Sequence, residues 1–246
     1  MADIRDRIRE YWDRDAETYD RSPAHALSDP VEAAAWRAVL RRHLPPPPAH
    51  VLDAGAGTGA VTMLLADLGY RVTALDLSEA MLARAREKAE AASAEVGFVV
   101  GPADDPPPGP FDAVVERNSL WTNPDPAGTL AAWRRVTEGG GRLVVMEGIH
   151  GPGPARRLRD GLSELLRRLL AIPHDHHDHY EPDVVRALPL LGAPSPAPLV
   201  AAVRRAGWRA VRIERLHDVE WARRLVPPRA LSLLEAVPLY AVVADA

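Results

Sequence analysis

The chain has 246 residues, a formal charge of −4, and 47% hydrophobic against 26% charged residues, which is ample for one α/β domain with a lid. It has no cysteine and a single lysine, Lys88, which excludes disulfide scaffolds, thiolate metal sites, thiol nucleophiles and a lysine Schiff-base enzyme. The negative charge argues against a non-specific nucleic-acid binder, which needs a basic stripe.

Charged residues from Asp3 to Arg7 interrupt any leader-like apolar run, and no 18 consecutive apolar residues occur anywhere. The expectation is therefore a soluble, cytoplasmic protein with no membrane partner. Residues 3–20 and 30–43 have the spacing of two amphipathic helices. Four prolines at 45–48 then mark a loop, because proline lacks an amide donor and breaks helices. Strand and helix alternate from there: strand Val51–Ala54, helix Ala60–Leu68, strand Arg71–Asp76, and a helix Ser78–Ala92 capped by Ser78. Strands Val96–Val100 and Phe111–Glu116, a helix near Pro126–Arg135 and strand Arg142–Glu147 continue the pattern. A helix-rich stretch at 154–190 and a helix Pro198–Ala206 follow, and strands Trp208–Leu216 and Leu239–Ala244 end the chain. Such alternation predicts a doubly wound, mostly parallel sheet covered on both faces, with the last two strands forming an antiparallel C-terminal edge.

The first strand runs straight into Asp53-Ala54-Gly55-Ala56-Gly57-Thr58-Gly59 and then a helix. Glycines at every second position let the backbone turn sharply and approach a ligand, and the helix start offers free amides there. Asp76 ends the next strand, where an acid in doubly wound folds accepts hydrogen bonds from a ribose diol. The dinucleotide fingerprint requires two residues between its second and third glycines, and here only Thr58 stands between Gly57 and Gly59. Asp53, just ahead of the turn, would repel a diphosphate but holds an ammonium. S-adenosylmethionine carries an ammonium and a sulfonium and no phosphate, so the charge pattern favours it.

With these motifs the chain resembles the class I S-adenosylmethionine-dependent methyltransferases of small-molecule type. The resemblance rests on the glycine turn, on Ala74–Leu82 around Asp76, on Gly101–Asp104, on Phe111–Asn118 and on Gly139–Val145. It implies a Rossmann-like, seven-stranded fold carrying an N-terminal helical lid and a helical insert. Residues 1–44 would be the lid, 45–150 the cofactor-binding core, 151–195 the substrate-cover insert, and 196–246 the completion of the sheet. It also implies that Asp53, Ala54, Gly55, Gly57, Thr58 and Gly59 hold the methionine part and Asp76 the ribose. Leu77 and Met81 would pack the adenine, Ala103 and Asp104 would meet its amino edge, and Arg117, Asn118 and Ser119 would close on the methionyl group. Tyr11, Trp12 and Tyr19 sit on the leading helix, which the resemblance folds over the cofactor, with Tyr19 set against its carboxylate. Plain core packing is the competing role for each of these aromatics.

Methyl transfer asks mainly for alignment, and a hydroxyl or ring N–H acceptor also needs its proton removed. His150 follows the fifth strand, Glu147 is a second candidate base, and His25 lies in the loop behind the lid helix, facing the substrate. Four histidines fall in His174-Asp175-His176-His177-Asp178-His179. A solvated loop, a substrate-facing cap using His176, His177 and Tyr180, and a metal site compete there, and no metal is assigned. Trp121 either lines the acceptor pocket or anchors the core.

The function expected is methyl transfer to O, N or C of a small molecule. The lysine-poor, Ala/Arg/Pro-rich usage fits a GC-rich bacterium and so a secondary metabolite. The alternative is an S-adenosylmethionine-binding enzyme that catalyses a cyclisation, rearrangement or decarboxylation. No nucleic-acid partner is expected, and a homodimer is left open.

Overall fold

The computed structural model describes residues 3–149, 151, 154–172, 179–226 and 228–246. Seven strands form one sheet: β1 (His50–Ala54), β2 (Arg71–Asp76), β3 (Val96–Val100), β4 (Phe111–Arg117), β5 (Thr137–Gly148), β6 (Arg209–Arg215) and β7 (Leu239–Asp245), in the order β3-β2-β1-β4-β5-β7-β6. The strand order reverses between β1 and β4, which opens a crevice at their carboxyl ends, where doubly wound sheets bind ligands. β7 runs antiparallel to both β5 and β6. The antiparallel strand is therefore wedged one place inside the edge, and β6 itself points the same way as the rest.

The apolar strands are buried on both faces. Val51, Val115, Val144 and Met146 meet helix α3 (Pro30–His43), helix α4 (Ala60–Asp67) and helix α10 (His217–Arg223) on one side. Leu52, Val114, Val145 and Val242 meet helix α6 (Pro126–Val136) and helix α9 (Ala197–Arg205) on the other. Among the described residues, three helix starts are capped by side chains. Asp29 accepts the Val31 and Glu32 amides at α3, Ser78 the Met81 amide at α5 (Glu79–Ala91), and Asp125 the Gly128 amide at α6. Pro30 and Pro126 occupy first-turn positions, where a missing N–H costs nothing.

The leading helix differs from its predicted span. α1 (Ile4–Asp15) stops at a fully buried Asp15, and a 3₁₀ turn (Tyr19–Arg21) and a short α2 (Pro23–Ala26) replace its continuation. Pro23 cannot sit inside a helix, and Leu27 closes α2 in the left-handed region at φ 51°. The break turns Tyr19 and His25 toward the crevice. The 154–190 stretch contains α7 (Pro154–Leu169) and α8 (Pro182–Ala187), and α10 together with α11 (Arg229–Leu234) adds two helices that the periodicity does not announce. Among the described residues no helix is long and apolar enough to cross a membrane.

Candidate active site

The glycine turn is built by positive φ at Gly55 (74°), Gly57 (55°) and Gly59 (82°), a region costly for residues with a Cβ. A Cβ on Gly55 would stand 2.2 Å from Ser119 Oγ, and one on Gly59 would stand 2.8 Å from Ala85 Cβ on α5. A Cβ on Gly57 would meet nothing within 4 Å. Gly55 and Gly59 thus let the turn close onto β4 and α5, and Gly57 borders open space. The Gly55 and Ala56 amides donate to Leu75 O at 2.8 and 3.0 Å, which ties the turn to the end of β2.

Asp76, at the tip of β2, locks that geometry by accepting the Gly57 amide on Oδ2 at 2.7 Å and the Ser78 amide on Oδ1 at 2.9 Å. Burial raises its pKa. Asp53 is 1% exposed, takes the Thr62 hydroxyl at 2.5 Å, and is pushed up to about 6 by burial. Arg117, at the end of β4, donates through Nη2 to Ala24 O at 3.0 Å and lies 5.3 Å over the Trp36 ring. Its Nη1 is buried with no hydrogen-bond partner. Asn118 follows in the left-handed region at φ 56°, accepts the Gly148 amide on its side-chain oxygen at 3.3 Å, and so pins the β4 exit to the β5 exit.

Two cavities meet above these strand ends. The first, about 330 Å³, is lined by Asp53, Gly55, Gly57, Thr58, Asp76, Leu77, Met81, Ala103, Asp104, Arg117, Asn118 and Ser119. The second, about 870 Å³, runs beneath α7, α10 and α11 and is lined by Trp121, Glu147, Glu32 and Arg223, among others. Trp12, Tyr19, His25 and Asn118 border both, so they form the neck. His25 stacks on Tyr19 with ring centroids 4.1 Å apart, and its Nδ1 lies 3.2 Å from Tyr19 O. If Nδ1 carries the proton donated to that carbonyl, Nε2 is the basic nitrogen.

The lid is tied to the core by polar contacts around the smaller cavity. Arg5 pairs with Asp104 at 2.6 Å, and Ser78 Oγ donates to Asp13 at 2.5 Å. Asp20 accepts both the Thr58 hydroxyl and Lys88 Nζ at 2.7 Å.

Most of the residues expected from the sequence come together here, with some displaced. Tyr11 lines neither cavity. It is buried between Trp12 and Tyr180, 5.2 and 4.3 Å away by ring centroid, because its side of α1 faces α8 rather than the crevice. Ala54 is fully buried and Gly59 abuts α5, so both support the turn from behind. Tyr180 backs the neck by edge contacts to Trp12 and Trp121 and borders neither cavity. His150, His176 and His177 lie outside the described residues. His179 is described and exposed, and no cluster of three His, Asp or Glu able to hold a metal occurs among the described residues.

The sequence reading missed one acid of a pair. Glu116 on β4 is fully buried, and Glu147 on β5 is 5% exposed. Burial pushes Glu116 up to about 7, and burial together with Glu116 raises Glu147 well above the carboxylate range. The signal available was an acid directly after the apolar run Ala113 to Val115.

A family model described as a methyltransferase domain matches residues 52–145, which span the glycine turn, Asp76, the β4 exit and most of β5. The ubiquinone biosynthesis O-methyltransferase of Xanthomonas campestris is 31% identical over 182 residues, covering 72% of this chain and 72% of that protein. The chain belongs to the class I S-adenosylmethionine-dependent methyltransferases. A demethylmenaquinone methyltransferase from Tropheryma whipplei is 34% identical over 145 residues, covering 58% of this chain and 59% of that one. In fold, the chain is similar to the crystal structure of a SAM-dependent methyltransferase from Aquifex aeolicus, with a TM-score of 0.59 at 16% identity over 91% of this chain and 98% of that one. The protein is thus a methyltransferase that uses S-adenosylmethionine and acts on a small molecule.

The smaller cavity fits that cofactor. A carboxylate would complete the buried, unpartnered Arg117 Nη1, Asp53 offers a negative charge for the ammonium, and Asp76 offers acceptors for the ribose hydroxyls. Gly57 leaves the approach free of a side chain.

Proposed function

We propose that the chain methylates a hydroxyl oxygen of a small, hydroxylated aromatic molecule, held in the larger cavity and reaching through the neck toward the smaller one. The observation that carries this reading is the joined pair of cavities, sharing an aromatic neck of Trp12 and Tyr19 with His25 and Asn118. A neck of flat rings suits a flat acceptor. The choice of oxygen draws on the O-methyltransferase relatives. The GC-rich usage keeps a bacterial secondary metabolite as the acceptor class, and the relatives named for quinone biosynthesis extend it to quinone precursors.

In this proposal Asp76 holds the ribose, Leu77 and Met81 flank the adenine, and Ala103 with Asp104 border its amino edge. Arg117 faces the carboxylate, with Tyr19 beside it, and Asp53 faces the ammonium. Bound there, S-adenosylmethionine supplies an electrophilic methyl group on a sulfonium, so the protein's task is alignment and proton handling. Trp12, Trp121 and His25 orient the acceptor, and the lid contacts of Asp13 and Asp20 hold the lid over the smaller cavity.

The test is incubation with S-adenosylmethionine and a panel of mono- and dihydroxylated aromatics, followed by mass spectrometry and NMR of the products. O-methyl ethers are expected. Products methylated only at nitrogen or carbon would overturn the assignment to oxygen.

A further inference from the structure

The proton that leaves an acceptor hydroxyl needs a destination at the neck, and the sheet provides one. β4 and β5 pair in parallel with Glu116 opposite Val145 and Arg117 opposite Met146. Alternation along a strand then puts Glu147 on the same face as Val145 and Glu116, one diagonal step along the pair. Both acids stand at the carboxyl ends of their strands.

Their surroundings differ. Glu116 is turned inward, and its Oε1 accepts the Ser119 and Leu120 amides and, at 3.0 Å, the Ser119 hydroxyl. Glu147 accepts the Trp121 amide on Oε1 at 3.2 Å and borders the larger cavity beside Trp121 and Asn118. Two carboxyls with a common burial are costly to ionise together, and a structural pair gains nothing from opening onto a cavity.

Resting on the methyltransfer reading above, the geometry points to Glu147 as the catalytic base that takes the proton of a phenolic acceptor, with Glu116 as its positioning and tuning partner. The acceptor O–H bond breaks and its proton passes to Glu147 Oε2. The oxygen keeps the electron pair, which forms the O–C bond as the C–S bond breaks. The sulfonium leaves as a neutral thioether, and the proton later leaves Glu147 for solvent. Burial and the neighbouring Glu116 raise the proton affinity of Glu147, which makes it a stronger base toward a phenol, and a phenol is acidic enough to use it where an aliphatic alcohol is not.

Other titratable groups surround Glu147. His25 and Tyr19 from the lid and Arg156 from α7 line the same cavity. Tyr240 pairs with it on β7, and Arg117 lies on the opposite face of the sheet. The pH limb of activity must therefore be assigned by substitution.

The experiment uses the full chain with 4-nitrocatechol as the probe, and three variants, E147Q, E116Q and H25Q. S-adenosylhomocysteine binding by calorimetry is the control, and E147Q should bind it as wild type does. The wild type should bind 4-nitrocatechol and show its phenolate band at a pH below that of the free phenol. E147Q should lose that displacement and about 10²–10⁴-fold in kcat. E116Q should move the acid limb of the pH profile down, because the carboxyl that adds to the effect of burial in raising Glu147 is gone. H25Q should leave the position of the limb unchanged. A limb that survives E147Q and disappears in H25Q would overturn the proposal, as would an unshifted phenolate band in wild type. Failure of wild type to bind S-adenosylhomocysteine would instead overturn the cofactor reading on which it rests.

Discussion

Replacing Asp76 with asparagine is nearly isosteric and strikes the ribose end of the site. In the wild type each carboxylate oxygen already accepts one amide, from Gly57 at 2.7 Å and Ser78 at 2.9 Å, and keeps one lone-pair direction for a ribose hydroxyl. Asparagine retains one carbonyl oxygen, so one of those amides faces an NH₂ group and loses its acceptor. The ribose loses charge assistance on one hydrogen bond and the acceptor of the other. A hydrogen bond to a charged group contributes about 1.5–3 kcal/mol against about 0.5–1.5 for a neutral one. The combined loss is about 2–3 kcal/mol, or roughly 30- to 150-fold in affinity at about 1.4 kcal/mol per tenfold. Calorimetric titration with S-adenosylhomocysteine measures it directly, with thermal unfolding confirming that the variant is folded. An affinity within about threefold of wild type in a folded D76N protein, well short of that loss, would refute the ribose assignment.

Three other outcomes follow from the same geometry. Glu116 is raised from 4.5 to about 7, so the folded state holds its proton after the unfolded chain has lost it. Its contribution is complete below pH 4.5 and is lost as pH rises toward 7, a decline of about 3 kcal/mol that Glu116→Gln should flatten in urea unfolding at pH 5 and pH 8. Gly57→Ala should cost only the positive-φ penalty, about 1 kcal/mol, whereas Gly55→Ala should cost clearly more because its Cβ would stand 2.2 Å from Ser119 Oγ; equal costs in denaturant unfolding would contradict the turn geometry. Asp20→Ala removes the partner of Thr58 and Lys88 and should lower stability by less than about 1 kcal/mol, since its ion pair is partly exposed. It should still speed release of S-adenosylhomocysteine in stopped flow, and an unchanged release rate would detach the lid from cofactor retention.

Much of this site is legible in the chain because it is local. The glycine turn, Asp53 and Ser78 each announce themselves by a strand ending, a helix beginning and residue types that suit the junction. Asp76 reads the same way, at the tip of the next strand. Helix–strand alternation carries the sheet as far as β5 for the same reason, and the last two strands and their antiparallel pairing are legible too. What the chain conceals depends on register or on a broken helix. Glu116 and Glu147 become a pair only once β4 and β5 align Glu116 with Val145, a fact stored in no neighbouring residue. His25 reaches the neck because α1 ends at Asp15 and Pro23 restarts the chain in a new direction. Tyr11 reads as a cofactor contact by its place on the lid, but the helix presents that face to Tyr180. α10 and α11 have seven and six residues, too short for a helical period to emerge, yet α10 brings Arg223 to the buried Glu32 at 2.7 Å.

The most direct test of the account is stoichiometry with S-adenosylmethionine labelled in its methyl carbon. With a methylated acceptor from the aromatic panel, one labelled methyl ether should form for each S-adenosylhomocysteine released. An acceptor converted while the labelled cofactor remains intact would contradict it, and would make the bound cation an electrostatic element of a different reaction.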